Sequence, residues 1–172
     1  MDLFEEHFAN CKKSEEIFES YKNSDKGIIL SNELKDNFSK KGSELLTKKE
    51  ADNFLEIRGI YYTNVVKNEL KDYSFYEWLV CLEQKKLLEY VVPVFSNVLV
   101  HYPILYGIHY HGEVLYQITI IESDFWENHF GWKEYFISIV NDVLSKYTIT
   151  ELTNIFPEEY ISQFEKFVLC DY

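Results

Sequence analysis

Residues 91–121 read VVPVFSNVLVHYPILYGIHYHGEVLYQITII, and this stretch sets the expectation for the fold. It contains no Lys or Arg and only one carboxylate, Glu113, in a chain in which 27% of the residues are charged. Prolines and a glycine divide it into runs of strand length that are rich in Val, Ile and Tyr. Runs of this composition between Pro and Gly are typical of buried strands. We therefore expect a small antiparallel β-meander over about residues 94–121.

Amphipathic helices are predicted on both sides of this meander. The residue before a proline is disfavoured in helical geometry, so the helix that precedes the stretch should end before Pro93. After residue 131, apolar side chains recur at helical spacing as far as Tyr147. Four pairs with capping-box spacing mark helix starts: Asp2 with Glu5, Thr47 with Glu50, Ser74 with Glu77, and Thr148 with Glu151.

These elements together predict an α+β fold. The meander should pack against helices from both the N-terminal half and the C-terminal third of the chain. No Gly-, Ser- or Pro-rich linker interrupts the sequence, and 172 residues are enough to bury a sizeable core. We expect one globular domain over residues 1–172.

Charge and cysteine usage restrict the classes of function. A net charge of −12 opposes binding to nucleic acid backbones or anionic membranes, so we expect neither as a partner. The three cysteines, Cys11, Cys81 and Cys170, are far apart and odd in number, which suits reduced thiols in a cytosol. The N-terminus has no basic region followed by an apolar core, and no run of about 18 apolar residues reads as one helix. The predicted location is the cytoplasm.

Catalytic and cofactor motifs are absent from the sequence. There is no G-x-S-x-G, no phosphate-binding G-x-x-x-x-G-K and no G-x-G-x-x-G, so we expect neither an enzyme nor a bound cofactor. The strongest candidate chemistry is at His101, His109, His111 and Glu113. On a strand, His109, His111 and Glu113 would share one face and could bind zinc. The spacing H-x-H is common by chance and no further Asp or His cluster accompanies it, so we predict no metal site.

The C-terminal third is the acidic end of the chain. Residues 122–172 carry ten carboxylates and three lysines, a net charge of −7. Aromatic residues make up 17% of the chain, with 14 Tyr and 13 Phe, more than a core of this size needs. Surplus Tyr suits a protein-binding surface, although an AT-rich genome would also produce it. We expect a partner-binding surface that contains Asp142, Tyr147, Glu151, Glu158, Glu159, Tyr160 and Glu165, with the two tyrosines as anchors if they are exposed.

The function predicted from these features is that of a cytosolic inhibitory protein which binds a basic protein partner. Bacterial immunity proteins, which neutralise a nuclease-like toxin by binding it, have this general character, and the comparison is one of type and not of sequence. One alternative is a phage-type mimic of nucleic acid that inhibits a CRISPR or restriction nuclease. A second alternative is a small enzyme that uses the His101, His109 and His111 region.

Overall fold

The computed structural model describes residues 3–169, and over that range the chain forms α-helices, two short 3₁₀ helices and no strand. The predicted α+β fold with a β-meander at residues 94–121 is therefore wrong, and the fold is all-α. The α-helices are α1 (Leu3–Tyr21), α2 (Asn32–Asp36), α3 (Gly42–Leu45), α4 (Lys48–Glu56), α5 (Ile60–Lys67), α6 (Phe75–Glu83), α7 (Leu88–Leu99), α8 (Glu113–Thr119), α9 (Ser123–Asn128), α10 (Phe130–Lys146), α11 (Ile149–Ile155) and α12 (Glu158–Leu169).

The stretch expected to form strands contains most of α7, a loop and α8. Most residues of α7 are apolar because the helix is buried on nearly all sides, and Glu89 is its one exposed residue. The side chains of α7 that are at most 7% exposed include Tyr90, Val91, Val92, Val94, Phe95, Ser96, Val98 and Leu99. A helix that is apolar all round is a helix enclosed by protein, and over a run of about 4–8 residues its pattern is the same as that of a buried strand.

Pro93 lies inside α7. The prediction that a helix ends before this proline is therefore wrong. A proline in a helix interior removes one backbone hydrogen bond and costs about 3 kcal/mol. Full burial of a Val, Leu or Phe side chain contributes about 1.5–3 kcal/mol, and α7 buries several of them. Packing therefore exceeds the cost of the proline.

Helix starts are the part of the prediction that the structure confirms. Capping boxes are present at Thr47, Ser74 and Thr148, each with the glutamate three residues later. The helical stripe after residue 131 corresponds to α10. The predicted box at Asp2 lies outside the described residues.

The chain divides into two compact units, and the boundary at Val94 and Phe95 falls within α7. The unit Ile29–Val94 encloses polar groups that are satisfied locally. In its core the Tyr73 hydroxyl donates a hydrogen bond to the carbonyl of Val65. The buried carboxylate of Glu77 accepts a 2.9 Å hydrogen bond from Asn64.

The other unit comprises the described parts of Met1–Ile28 and Phe95–Tyr172. In it Phe18 packs against Phe95 with ring centroids 5.7 Å apart. Trp126 is 1% exposed and packs against phenylalanines of α10 and α12. This division does not test the predicted single domain, which stays a prediction.

Within residues 3–169, the helices are all too short or too polar to cross a membrane.

Candidate functional site

The loop between α7 and α8 is shaped by the one carboxylate of the apolar stretch. Oε2 of Glu113 accepts hydrogen bonds from three successive backbone N–H groups, those of Ile108 (2.6 Å), His109 (2.7 Å) and Tyr110 (3.4 Å). Glu113 is only 6% exposed, and it is the first residue of α8. Its negative charge therefore satisfies backbone donors that would otherwise lack an acceptor.

Two glycines allow the loop to close on this carboxylate. A Cβ atom at Gly107 would lie 2.5 Å from Oε2 of Glu113, so only glycine permits the approach. Gly112 has a φ of 75°, in the left-handed region that favours glycine. An antiparallel bridge between Tyr106 and His111 completes the loop.

Tyr110, at the tip of this loop, begins a chain of aromatic contacts that reaches α12. Tyr110 is 53% exposed and meets the buried ring of Tyr160 edge to face, with centroids 6.1 Å apart. Tyr160 stacks on Tyr116 at 4.0 Å, and the Tyr116 hydroxyl donates a 2.6 Å hydrogen bond to Glu159. Glu158 precedes Glu159 at the start of α12, and both are exposed. We call Tyr110, Tyr116, Glu158 and Glu159 the acidic-aromatic patch.

The two inner tyrosines of this arrangement stay neutral at physiological pH. The hydrogen bond to Glu159 raises the pKa of Tyr116, and burial raises the pKa of Tyr160. Both effects disfavour a phenolate. The negative charge of the patch therefore comes from its carboxylates, and its rings contribute uncharged contact area.

Exposure increases the acidity of the C-terminal third beyond what composition indicates. Over residues 122–169 all nine carboxylates are exposed. One of the three lysines, Lys133, is 2% exposed and lies with its Nζ 5.7 Å from the centroid of the Phe167 ring. The exposed side chains of this segment therefore carry nine negative charges and two positive ones.

The predicted partner-binding residues are distributed over three helices and one loop. Glu158 and Glu159 belong to the patch, and Glu165 is exposed two turns further along α12. Tyr160 is 6% exposed, so it is not available as a surface anchor. Its ring contacts those of Tyr110 and Tyr116. The carboxylate of Glu151 caps α11 by accepting hydrogen bonds from the backbone N–H (2.8 Å) and hydroxyl (2.9 Å) of Thr148, which lower its pKa.

The two remaining predicted residues, Asp142 and Tyr147, line a cleft of about 520 Å³ that shares no residue with the patch. This cleft lies between the end of α7 and the C-terminal half of α10, within one unit. His101 and Tyr135 contribute further rings to its wall. The structure therefore brings Asp142 and Tyr147 together and places Glu158 and Glu159 in a different surface.

The histidines expected to share a strand face do not do so. His109 is exposed at the tip of the loop, whereas His101 lines the cleft and hydrogen bonds to Ser24 through Nε2 at 2.9 Å. His111 packs edge-on against Tyr106, and Glu113 is occupied by backbone donors. Among the described residues, no three His, Cys, Asp or Glu side chains are placed to hold a metal ion.

One polar cluster was not singled out from the sequence. The sulfur of Cys11 lies 3.7 Å from Nε2 of His7, and Nδ1 of His7 lies 2.9 Å from the hydroxyl of Tyr106. The spacing of four residues between His7 and Cys11 on an amphipathic helix was the signal for the first contact. No sequence signal indicated the second, which joins residues 99 positions apart.

Tyr110 was also not singled out from the sequence, and Glu113 was considered only as a possible metal ligand. Glu113 stood out as the single charge in residues 91–121, although its role as a backbone acceptor depends on the loop conformation. Comparison with family models, with curated proteins and with solved structures finds no match to this chain.

Proposed function

We propose that this protein binds a basic partner protein through the acidic-aromatic patch and inhibits it by covering its basic surface. One observation carries the proposal: in residues 122–169 every carboxylate is exposed while Lys133 is buried. Exposed carboxylates on helices attract a basic protein over long distances and accelerate association. The proposed partner is accordingly a protein with a clustered Lys and Arg surface.

The aromatic part of the patch supports specific contact and not only attraction. Binding energy at protein interfaces is concentrated in a few residues, among which Tyr is frequent. Tyr110 is half exposed, and its backbone is held by Glu113 while its ring rests against Tyr160. A side chain already held in place loses little conformational entropy on binding. Tyr110 is therefore the proposed anchor, and Glu158 and Glu159 are the proposed charged contacts.

Identification of the partner begins with a photo-crosslinking amino acid at position 110, introduced into the full chain in cells of the source organism. The control carries the same amino acid at Tyr61, which is 39% exposed in the other unit. A basic protein crosslinked from position 110 and not from position 61 is the expected result. Absence of any basic protein among the position-specific products would contradict the proposal.

Association kinetics of the purified pair then test the role of charge. Replacing Glu158→Lys and Glu159→Lys together should slow association about tenfold at low salt and much less at high salt, because salt screens the attraction. The matched control is Asp52→Lys with Glu56→Lys, which makes the same change of charge at exposed positions on α4. Equal slowing by both pairs would show attraction to net charge alone and would count against the patch.

Replacing Tyr110 by a smaller residue should change the dissociation rate constant of the pair. Tyr110→Ala should accelerate dissociation by roughly 30-fold, the effect of about 2 kcal/mol at a hot spot. Its association rate should stay within about threefold of that of the unaltered protein. A dissociation rate unchanged by this substitution would place the interface elsewhere.

Neither the fold nor the comparisons favour a toxin-neutralising immunity protein, and the proposal does not include that role. The nucleic-acid mimic remains the rival: duplex DNA should compete with this protein for the partner if the carboxylates imitate phosphates. Binding that DNA does not affect would favour the patch as a protein-specific surface.

A further inference from the structure

The cleft beside α10 is lined by apolar side chains, by one carboxylate, that of Asp142, and by one ammonium group, that of Lys146. Leu99, Ile139 and Val143 line it and are at most 7% exposed, whereas Asp142 is exposed. Its volume of about 520 Å³ is within the range of about 300–1,000 Å³ that is usual for small-ligand sites. The cleft can therefore hold one long side chain together with part of the backbone that carries it.

Asp142 forms no ion pair within the described part of the chain. Lys146, one turn further along α10, does not neutralise it by direct contact. The Nζ atom of Lys146 lies instead 5.4 Å from the centroid of the Tyr147 ring. The carboxylate is thus available to a ligand, and the neighbouring ring already accepts a cation of the protein itself.

The polar tips of the other two rings in the wall are occupied. The Tyr135 hydroxyl donates a 2.8 Å hydrogen bond to the carbonyl of Lys26. His101 hydrogen bonds to Ser24 at 2.9 Å and stacks on Tyr21 with ring centroids 4.4 Å apart. These contacts hold both side chains in place. The wall therefore supplies fixed aromatic surface, and Asp142 supplies the only carboxylate among the lining residues.

We propose that this cleft binds an arginine side chain of the basic partner, with its guanidinium on the Asp142 carboxylate and against the aromatic wall. A guanidinium is planar, pairs with a carboxylate through two parallel hydrogen bonds and stacks on aromatic rings. A lysine ammonium offers only a point charge and is more strongly hydrated. The proposal rests on the proposed function for the source of the arginine, and it names the residue type that the partner presents.

The probe is the peptide acetyl-Gly-Arg-Gly-amide, titrated into the full chain and followed by amide shifts in two-dimensional NMR spectra. Saturable shifts should be confined to the end of α7, His101 to Pro103, and the part of α10 after Tyr135. The peptide with citrulline in place of arginine has nearly the same shape and no charge, and it should bind at least tenfold more weakly. The lysine peptide should bind several-fold more weakly than the arginine peptide.

Two substitutions distinguish binding of the guanidinium to Asp142 from binding of a negatively charged group to Lys146. Asp142→Asn should lower the affinity for the arginine peptide at least about fivefold. Lys146→Gln removes a competing cation and should leave that affinity equal or higher. Asp142 and Lys146 are both exposed, and an otherwise unchanged spectrum of each variant confirms its fold.

The proposal is overturned if the citrulline peptide binds as tightly as the arginine peptide, if shifts fall outside the cleft, or if Lys146→Gln weakens binding. Its failure is distinct from failure of the proposed function. Loss of peptide binding while Glu158→Lys and Glu159→Lys still slow association of the partner would remove the cleft alone. If the peptide binds at the cleft while Glu158→Lys and Glu159→Lys leave association of the partner unchanged, only the role of the patch is refuted.

Discussion

Substitution of Glu113 tests whether one carboxylate holds the loop that presents Tyr110. In Glu113→Ala the backbone N–H groups of Ile108 and His109 lose the acceptor that they reach at 2.6 and 2.7 Å. A donor left without an acceptor costs about 1–3 kcal/mol. Because His109 is at the surface and water can reach this side of the loop, we use the lower half of that range. The expected loss is about 2–4 kcal/mol in the free energy of unfolding.

Glu113→Gln separates charge from geometry, since it keeps an acceptor oxygen of nearly the same size. Hydrogen bonds to a charged acceptor contribute about 1.5–3 kcal/mol and those to a neutral one about 0.5–1.5 kcal/mol. Each bond should therefore weaken by about 1 kcal/mol, so the two together should cost about 2 kcal/mol, the lower end of the range expected for Ala. The control Glu127→Gln changes an exposed carboxylate of α9 and should stay within about 0.5 kcal/mol.

Urea unfolding gives the free energies, and a shift of the midpoint at constant slope identifies a change in stability. Amide hydrogen exchange at Ile108 and His109 reports the loop itself, and both amides should lose protection in Glu113→Gln. If both variants unfold within about 0.5 kcal/mol of the unaltered protein and these amides keep their protection, the carboxylate does not hold the loop.

Three further predictions follow from the described contacts. The ion pair and hydrogen bond with Lys86 (2.8 Å) lower the pKa of Glu50, so its stabilising effect is present at neutral pH and is lost as the pH falls through that lowered pKa, below the usual value of about 4.3. Unfolding curves of Glu50→Gln and the unaltered protein should therefore differ at pH 7 and converge as the pH falls below that lowered pKa. Cys81 is fully buried and burial raises its thiol pKa, whereas Cys11 is half-buried, so alkylation mapped by mass spectrometry should label Cys11 in the native protein and Cys81 only after unfolding. Gly112→Ala should lower the unfolding midpoint markedly, because the residue has a φ of 75° and its Cβ would lie 2.3 Å from a buried phenylalanine ring.

Local sequence was sufficient where the interaction itself is local. The box at Thr47 joins residues three apart, with a 2.9 Å hydrogen bond from the Thr47 backbone N–H to Glu50, and the same arrangement recurs at Thr148 and Glu151. Such contacts form within one helical turn and need no partner from elsewhere in the chain. The exposure of Glu158 and Glu159 likewise follows from two adjacent charges at a helix start.

The error in fold class has a specific cause in residues 91–121. A short run in which nearly every residue is apolar fits a buried strand as well as a buried helix, and α7 buries nearly every side chain. Pro93 also favoured the strand interpretation, because a proline destabilises a helix interior. The burial that offsets this cost involves residues distant in the sequence and is not visible in a local pattern. Gly112, which indicated a turn between strands, instead permits a loop to close on Glu113, together with Gly107.

By itself, the sequence determined the acidic character of the chain, the three helix starts with capping boxes and the exposure of its C-terminal carboxylates, since each depends on composition or on residues within one turn of one another. Tertiary structure alone decided that residues 91–121 contain helices, that Lys133 is withdrawn from the surface, and that Tyr110 rests against Tyr160. The physical reason is the same in each case. The free energy of these arrangements comes from burial and contact between groups many residues apart. A local sequence pattern does not specify which distant groups will be in contact.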